Sequence, residues 1–525
     1  MTMKHTRAWM FAAVITMTGG PVMAQPVDPY APVDPYAEPV KAETGKGKGK
    51  GKGKGKAEEK KPVAGDAGVI DPYGPYAPPA PPAPPAPPVP VKDVLLERKP
   101  GGTGPGTGAG TVVAPGTAGP GIGAPPAPSA SDVPGRFDLA AVQGLLAVQN
   151  LDGWLMVDQG GSNPVARSLV AVHGGASRRW FYLVPRTGEP TVLCHASEVA
   201  SFAQVPGMHI TYSGYRDLDK ILRAMLKGKK SLAMEYSPRG ALPSLSRVDA
   251  GTIELVRAAG VTVKPSDGLV QFAKATWGPE GRKKHYIAVH HLIELRKDAL
   301  TFIVRQLAAG TAVTERDVQV RVEKGMMTRG LVGPPPVVAF GKNTADPDYV
   351  PSAGRSARLV SGDVVLLSLA GKVEGGVFAA LTWVAVADDR VSPSVQVAFE
   401  TAARARDEAL ALVSDRVNRR RAVKGWEVDK AARDSLIKAG MIGKVLHRTG
   451  HSLDADLYGS GTDLDDLEVK DQRVLVVGTG FTVGPGLYTP AELGVRAEVS
   501  AYLGRDGLEV TTPAQDHVDT LGPAK

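Results

Sequence analysis

Apolar residues between positions 137 and 275 occur in short continuous runs that alternate with stretches of helical spacing. The runs that we predict to be buried strands are residues 153–157 and 180–184. The stretches that we predict to be helices are residues 218–227 and 251–259. Asp217 is the expected N-cap of the first helix, and Gly260 should end the second. Strands that alternate with helices predict an α/β domain.

The second half of the chain has a different order, in which paired helices lie between groups of strands. The predicted helices are residues 278–306, 394–416 and 426–439, with one more beginning after Thr314. The predicted strands and turns are residues 364–369, 377–386, 447–453, 473–477 and 494–503. Thr314 and Asp317 resemble a capping box, and Gly440 should end the last helix. This order predicts an α+β domain.

The first 24 residues have the composition of a signal peptide. Lys4 and Arg7 precede the apolar run 9–18, and small residues precede the expected cut after Ala24. We therefore expect an exported protein, periplasmic or secreted; an uncleaved membrane anchor is the alternative. Residues 25–136 are a low-complexity Pro-, Gly- and Lys-rich segment, which we predict to be a disordered tail.

One block of the tail is strongly basic. Lys46–Lys61 contains eight lysines and two glutamates, within a chain of formal net charge +8. Such a block attracts polyanions by counterion release, which in an exported protein suggests an anionic envelope polymer. A solvated spacer is the alternative. No aromatic residue is interleaved with these lysines, so no specific nucleic-acid partner is expected.

Several other patterns are weak. Cys194 is the single cysteine, so no intrachain disulfide can form, and we expect it to be buried. His290 and Glu294 share a helix face, but two side chains are too few for a zinc site, and a solvated face is the better interpretation. No nucleophile elbow or phosphate-binding loop has its required context.

A series of segments in the order of the chain resembles the pita-bread metallopeptidases, which include Xaa-Pro aminopeptidase, prolidase and creatinase. The segments are residues 233–238, 248–252, 338–349, 362–368, 376–383, 425–429, 447–453, 483–488 and 494–498. The resemblance covers residues 137–515. It implies a creatinase-type N-terminal α/β domain at 137–275 and a pita-bread domain at 276–515, with a C-terminal tail at 516–525.

In that family two divalent Mn, Zn or Co ions are held by two Asp, one His and two Glu. The matching positions here are Ser368, Ala380 (Ala379 under one other placement), His451, Gly484 and Glu498. Only His451 and Glu498 keep a ligand. Four further positions of the former pocket are Asp348 and Tyr458, which replace histidines, and His447 and Arg496, which are retained.

A dinuclear site brings four positive charges that carboxylates must offset. We therefore expect no catalytic residues and no metal cofactor. The leading hypothesis is a non-catalytic pseudo-peptidase that binds peptides, proline-containing ones among them, or serves as a subunit, with a homodimer as one possibility. One alternative is a metal-dependent Xaa-Pro aminopeptidase or dipeptidase with a rearranged site, in which Asp454 or Asp456 joins His451. The other is an envelope-binding scaffold that acts through its basic tail.

Overall fold

The structure is a computed structural model, and it describes residues 137–523. These residues belong to one compact unit. The predicted signal peptide, the tail 25–136 and its basic block Lys46–Lys61 lie outside the described residues. Within residues 137–523 no helix is long and apolar enough to span a membrane.

The N-terminal part of the described chain forms a six-stranded mixed sheet. Its strands are β1 (Gly153–Asp158), β2 (Trp180–Pro185), β3 (Thr191–His195), β4 (Met208–Tyr212), β5 (Ser231–Met234) and β6 (Thr262–Pro265). Its α-helices are α1 (Leu139–Val148), α2 (Pro164–Val170), α3 (Tyr215–Leu226), α4 (Ala250–Ala258) and α5 (Asp267–Val270). The strand order is β4-β3-β2-β1-β5-β6, and β1 pairs antiparallel with β2 and parallel with β5.

Strand β1 explains why the sequence shows a continuous apolar run. Trp154 and Met156 pack into one hydrophobic cluster, whereas Leu155 and Val157 pack into a second. Successive side chains of a strand point to opposite faces, so the sheet is covered on both sides. The predicted α/β arrangement of this part is therefore confirmed.

Helix α3 corrects one predicted boundary. It begins at Tyr215, three residues before the predicted start, and Gly214 in extended conformation precedes it. Asp217 was wrongly predicted as the N-cap; it lies inside the first turn. An acidic side chain is favourable there because the N-terminus of a helix carries partial positive charge. The end of α4 agrees with the prediction, since Gly260 follows it with a positive φ of 85°.

The C-terminal part contains two pairs of helices and three groups of strands. The helices are α6 (Pro279–Ala308), α7 (Glu315–Thr328), α8 (Pro393–Asn418) and α9 (Gly425–Lys438). The first strands are β7 (Leu331–Val332), β8 (Val337–Phe340), β9 (Val364–Val373) and β10 (Ala379–Val386). The later strands are β11 (Ser452–Leu453), β12 (Thr479–Val483), β13 (Gly486–Thr489), β14 (Leu493–Arg496), β15 (Val499–Gly504), β16 (Gly507–Val510) and β17 (Asp519–Thr520). The predicted capping box of α7 is present.

The antiparallel strands β9 and β10 form the centre of this part. The sheet order is β17-β10-β9-β7, with β8 also paired to β9, and a second sheet has the order β11-β12-β15-β16. Val365, Leu367 and Leu369 of β9 pack against α6 and α7. Ser368 lies between them in the sequence, so its side chain points to the opposite face. Thr382 of β10 pairs with Ser368.

The segment after α9 is less regular than predicted. Of residues 447–453 only Ser452–Leu453 forms a strand, and residues 473–477 contribute a single isolated bridge at Val474. Side-chain carboxylates order the loop instead; Asp465, for example, accepts backbone N–H bonds from Leu467 and Glu468.

The end of the described chain is packed rather than free. Residues 516–525 were predicted as a tail outside the domain, yet Asp519–Thr520 form β17, which pairs parallel with β10. Val518 and Leu521 are buried on either side of this strand.

Candidate functional site

The cleft is a cavity of about 710 Å³ in the C-terminal part, and it contains every position singled out by the resemblance. These positions are Asp348, Ser368, Ala380, His447, His451, Tyr458, Gly484, Arg496 and Glu498. The fold therefore brings together in one cavity nine positions that are dispersed along the sequence. Ala380, rather than Ala379, is the alanine that lines it.

A chain of three side chains forms the floor of the cleft. The Thr382 hydroxyl lies 2.5 Å from Glu498 Oε2 and 3.0 Å from Ser368 Oγ. A carboxylate oxygen can only accept, so Thr382 donates to Glu498 and accepts from Ser368. Sequence reasoning missed Thr382. Its place two residues after Ala380, on the same face of β10, was the available signal.

Ala380 brings no polar side chain to the floor. Its backbone is fully used, because its N–H donates to the Ser500 hydroxyl at 3.0 Å and its carbonyl accepts from the same hydroxyl at 2.8 Å. This strand therefore presents a methyl group at the position where the resemblance implies a carboxylate ligand.

Gly484 lies directly against Glu498. Its N–H donates to the Thr449 carbonyl at 2.7 Å. A Cβ added at Gly484 would lie 2.8 Å from both Cβ and Cγ of Glu498. Carbon atoms pack at about 3.5–4.0 Å. Position 484 consequently has no space for any side chain while Glu498 keeps its place.

His451 is the retained imidazole, and its neutral form faces the cleft. Nδ1 lies 3.1 Å from the Ser452 carbonyl, which can only accept, so Nδ1 carries the proton. Burial lowers the pKa of His451, although nearby Asp463 and Glu498 oppose the shift. The Tyr458 ring lies 4.7 Å from the imidazole between centroids.

The acidic side chain near His451 is Asp463, which sequence reasoning missed. Burial raises the pKa of Asp463. One of its oxygens accepts from the Ser452 N–H at 2.9 Å, and Arg448 lies 3.4 Å from the other. Its neighbours in sequence form an acidic run, in which nothing marks this position as special.

Asp454 and Asp456 do not join His451, contrary to the alternative raised from the sequence. Lys274 Nζ lies 3.1 Å from Asp454 and 2.7 Å from Asp456. Neither aspartate lines the cleft. Lys274 comes from the segment just before α6, so this contact could not be read from local sequence.

A second hydrogen-bonded network at the cleft joins Arg496, Tyr488 and His447. Arg496 Nε and Nη2 donate to the Tyr488 hydroxyl at 3.1 and 3.0 Å. The hydroxyl lies 2.8 Å from His447 Nε2, while His447 Nδ1 lies 2.7 Å from the Arg448 carbonyl. Burial and the nearby Arg496 guanidinium lower the pKa of His447 to about 3. A neutral His447 therefore accepts from Tyr488, and Tyr488 accepts twice from Arg496.

Two of the nine cleft positions, Asp348 and Tyr458, lie on the solvent-exposed side of the cleft. Asp348 is exposed, and its N–H donates to Asp346 Oδ1 at 3.1 Å. Tyr458 is 67% exposed. Neither side chain reaches the floor network through a hydrogen bond between described residues.

The donor set does not fit the two metal ions of the family. Among residues 137–523 no group of three or more His, Cys, Asp or Glu is placed to hold a metal ion. The floor offers one imidazole, one carboxylate and neutral hydroxyls. Hard divalent cations need several oxygen ligands, and open zinc sites use three protein ligands.

The remaining sequence patterns have structural explanations. His290 is exposed, and Glu294 accepts from Lys297 at 3.0 Å, so this helix face is solvated as expected. Cys194 is buried and free.

Comparison with known proteins places the cleft in a family. Residues 288–503 match the model of metallopeptidase family M24. These residues form an M24 metallopeptidase domain. Among similar proteins, the Xaa-Pro dipeptidase of Lactobacillus helveticus is 28% identical over 211 residues, 39% of this chain. The chain thus spans about half, 52%, of that relative's length. The putative dipeptidase YkvY of Bacillus subtilis is 25% identical over 331 residues, 62% of this chain and 84% of YkvY.

Solved structures support the fold of the M24 domain and of the part that precedes it. Dipeptidase PepE of Mycobacterium ulcerans aligns with a TM-score of 0.58 at 21% identity, covering 74% of this chain and all of that chain. Xaa-Pro dipeptidase of Bacillus anthracis aligns with a TM-score of 0.54 at 18% identity, covering 73% and 98%. The pita-bread fold expected from the sequence is therefore confirmed.

Proposed function

We propose that this chain is a non-catalytic member of the M24 family that binds peptides in the cleft without hydrolysing them. The observation that carries the proposal is the position of Glu498. It lies over the backbone of Gly484 and hydrogen-bonds to Thr382. A glutamate that shares two metal ions with a second glutamate needs space at position 484, and that space is taken.

Charge supports the same conclusion. Two divalent ions would bring four positive charges to the floor, where Ser368 and Ala380 carry none to offset them. Metal-activated water and a clamp between two ions are the chemistry of a dinuclear hydrolase. Neither can be built from His451 and Glu498 alone.

The shape of the cleft supports peptide binding. Its volume of about 710 Å³ lies within the usual range for ligand pockets, roughly 300–1,000 Å³. Pro334, Pro335 and Leu446 supply apolar surface, and Arg496 supplies N–H donors for a carbonyl or carboxylate. We propose proline-containing peptides as ligands because the similar proteins named above include Xaa-Pro dipeptidases.

A second candidate is a metal-dependent Xaa-Pro aminopeptidase or dipeptidase with a rearranged site. The names of the relatives favour it, as does the presence of both His451 and Glu498 in the cleft. Such a site needs metal ligands in addition to His451 and Glu498. Asp454 and Asp456 were the candidates in the sequence, but both form ion pairs with Lys274.

Elemental analysis separates the two candidates. The purified protein is loaded with manganese, cobalt or zinc, desalted, and assayed for bound metal and for hydrolysis of proline peptides. We expect less than one ion per chain and no hydrolysis above background, together with peptide binding measured by calorimetry. Two tightly bound ions and hydrolysis, both lost in His451→Ala, would establish the enzyme instead.

A further inference from the structure

Glu498 keeps one carboxylate oxygen free at the floor of the cleft. The residue is only 8% exposed, and Oε2 accepts from Thr382. Within residues 137–523 no group donates to Oε1, and no Arg, Lys or His nitrogen lies within 4.0 Å of the carboxylate. Oε1 therefore meets solvent in the cleft, and a carboxylate in this mostly buried position favours a cation or several donors as partners.

The two arginines that line the cleft make their hydrogen bonds and ion pairs with other groups. Arg496 directs Nε and Nη2 to Tyr488 and a second N–H of Nη2 towards the Pro347 carbonyl at 3.4 Å. Arg448 lies 3.4 Å from Asp463. Within residues 137–523 Glu498 therefore has no ion-pair partner within 4.0 Å, and the Arg496 guanidinium acts on it only from a longer distance.

Two more acceptors line the same floor. His451 uses Nδ1 for the Ser452 carbonyl, so Nε2 is left without a partner in residues 137–523. Ser368 gives its proton to Thr382, which leaves lone pairs on Oγ. Both residues line the cleft with Glu498. The floor is thus rich in acceptors and poor in donors.

We propose that Glu498, His451 and Ser368 bind a primary ammonium group at the place where the family binds its metal ions. The inference rests on the proposed peptide-binding function. An ammonium carries three N–H donors, which correspond to the three acceptors. A guanidinium fits less well, because its planar fork favours both oxygens of one carboxylate and Thr382 already occupies one of them.

Arg496 indicates which ammonium is favoured. Its Nη1 has no partner in the described chain, and the side chain lines the cleft next to Glu498. A peptide N-terminus carries an ammonium with a carbonyl two bonds further on. The first could bind the floor while the second accepts from Arg496. A lysine side chain is the other source of the same group.

Calorimetry in the presence of EDTA tests the proposal with three amidated peptides. They are Ala-Pro-Ala, its N-acetylated form, and N-acetylated Lys-Pro-Ala. We expect the free-amine peptide to bind at least about ten-fold more tightly than its acetylated form, since charge-assisted hydrogen bonds contribute about 1.5–3 kcal/mol. Tight binding of the lysine peptide alone would assign the site to a side-chain ammonium.

Glu498→Gln removes the charge and keeps an oxygen for Thr382. It should weaken binding of the free-amine peptide about ten-fold and leave the acetylated peptide unchanged. Glu492→Gln is the matched control, because Glu492 is exposed and outside this cleft. If Glu498→Gln does not fold, Ser368→Ala and the acetylation pair on the unmodified protein still decide the question.

The peptide series distinguishes failure of the ammonium site from failure of the proposed peptide-binding function. Equal affinity for the free and acetylated peptides would overturn the ammonium site and leave peptide binding in place. Affinity that requires added manganese would also overturn it, because the cation would then be a metal. If none of the three peptides binds, the proposed peptide-binding function itself is wrong.

Discussion

Glu498 and Gly484 together determine what the floor of the cleft can accept. The glutamate side chain occupies the volume that a side chain at position 484 would need. Gly484 and Glu498 therefore pack as a unit, and a change at one position requires the other to move. A glutamate introduced at position 484 alone would collide with the present side chain of Glu498.

This close approach gives a prediction for Gly484→Ala. We expect a loss of about 1–3 kcal/mol in the free energy of unfolding, the usual cost of forcing extra carbon into a packed site. Urea unfolding measures it. Gly443→Ala is the control, since a Cβ there has no neighbour within 4 Å, and it should change stability by less than about 0.5 kcal/mol. Equal effects of the two substitutions would contradict the packing argument.

The identities of the site residues were predictable, but their contacts were not. Short ordered motifs located all nine cleft positions because each motif spans only a few residues. The hydrogen bond from Thr382 to Glu498 joins residues more than 100 positions apart in the sequence. The same is true of the ion pair between Lys274 and Asp454. Local patterns carry no information on such pairs.

Strands β9 and β10 show what substitution does at the level of an element. Ser368 and Ala380 point to one face of two paired strands, and both are neutral. Carboxylates at both positions would lie close together beside Glu498 and repel one another.

Ser368→Asp combined with Ala380→Asp should therefore lower the melting temperature in EDTA. Added manganese should raise it again, because binding to the folded state alone stabilises that state. Differential scanning calorimetry measures both effects, with the unmodified protein as the control that manganese should not stabilise. A melting temperature of the double variant that manganese leaves unchanged would show that the two strands no longer form half of a metal site.

Helix α6 is tied to the second sheet by a buried histidine. His285 lies 2.9 Å from the Phe378 carbonyl and 2.8 Å from the Thr511 hydroxyl. Burial lowers the pKa of His285 to about 4. In the unfolded chain it should titrate near 6.5.

Acid should weaken this connection. In the unfolded chain this histidine is protonated below about pH 6.5, whereas in the folded protein it stays neutral down to about pH 4. Protonation therefore favours the unfolded state, and the free energy of unfolding should fall as pH falls from about 6.5 to about 4. The slope from one histidine is at most about 1.4 kcal/mol per pH unit. His285→Gln should reduce the slope, and exposed His290→Gln should leave it unchanged. Unfolding midpoints at pH 4.5, 5.5 and 6.5 provide the measurement.

Helices and long strands were the elements that the sequence predicted best. The periodic stretches of α6, α8 and α9 were located to within about two residues, because each buries one face over many turns. The segment between β11 and β12 could not be predicted, because side-chain carboxylates rather than backbone ladders order it.

For the whole molecule, the sequence outside the described residues adds a second proposed activity. We propose that the chain is exported and cut after Ala24, and that the basic block Lys46–Lys61 binds an anionic envelope polymer. Binding of dextran sulfate to the full chain should weaken steeply as salt rises. Replacing the eight lysines of the block by glutamine should abolish the salt dependence, while Glu498→Gln should not affect it. Salt-independent binding would contradict the electrostatic explanation.

The pairing of β17 with β10 has a consequence for biosynthesis. Val386 ends β10, and Asp519 begins β17 about 130 residues later. At translation rates of about 5–20 residues per second, the synthesis of β17 would follow that of β10 by roughly 7–26 s. During that interval this edge of β10 has no partner strand. An unpaired strand edge is a template for association with other chains. The sheet that forms the floor of the cleft is therefore most exposed to association with other chains until the C-terminal end of the chain is present and has folded onto it.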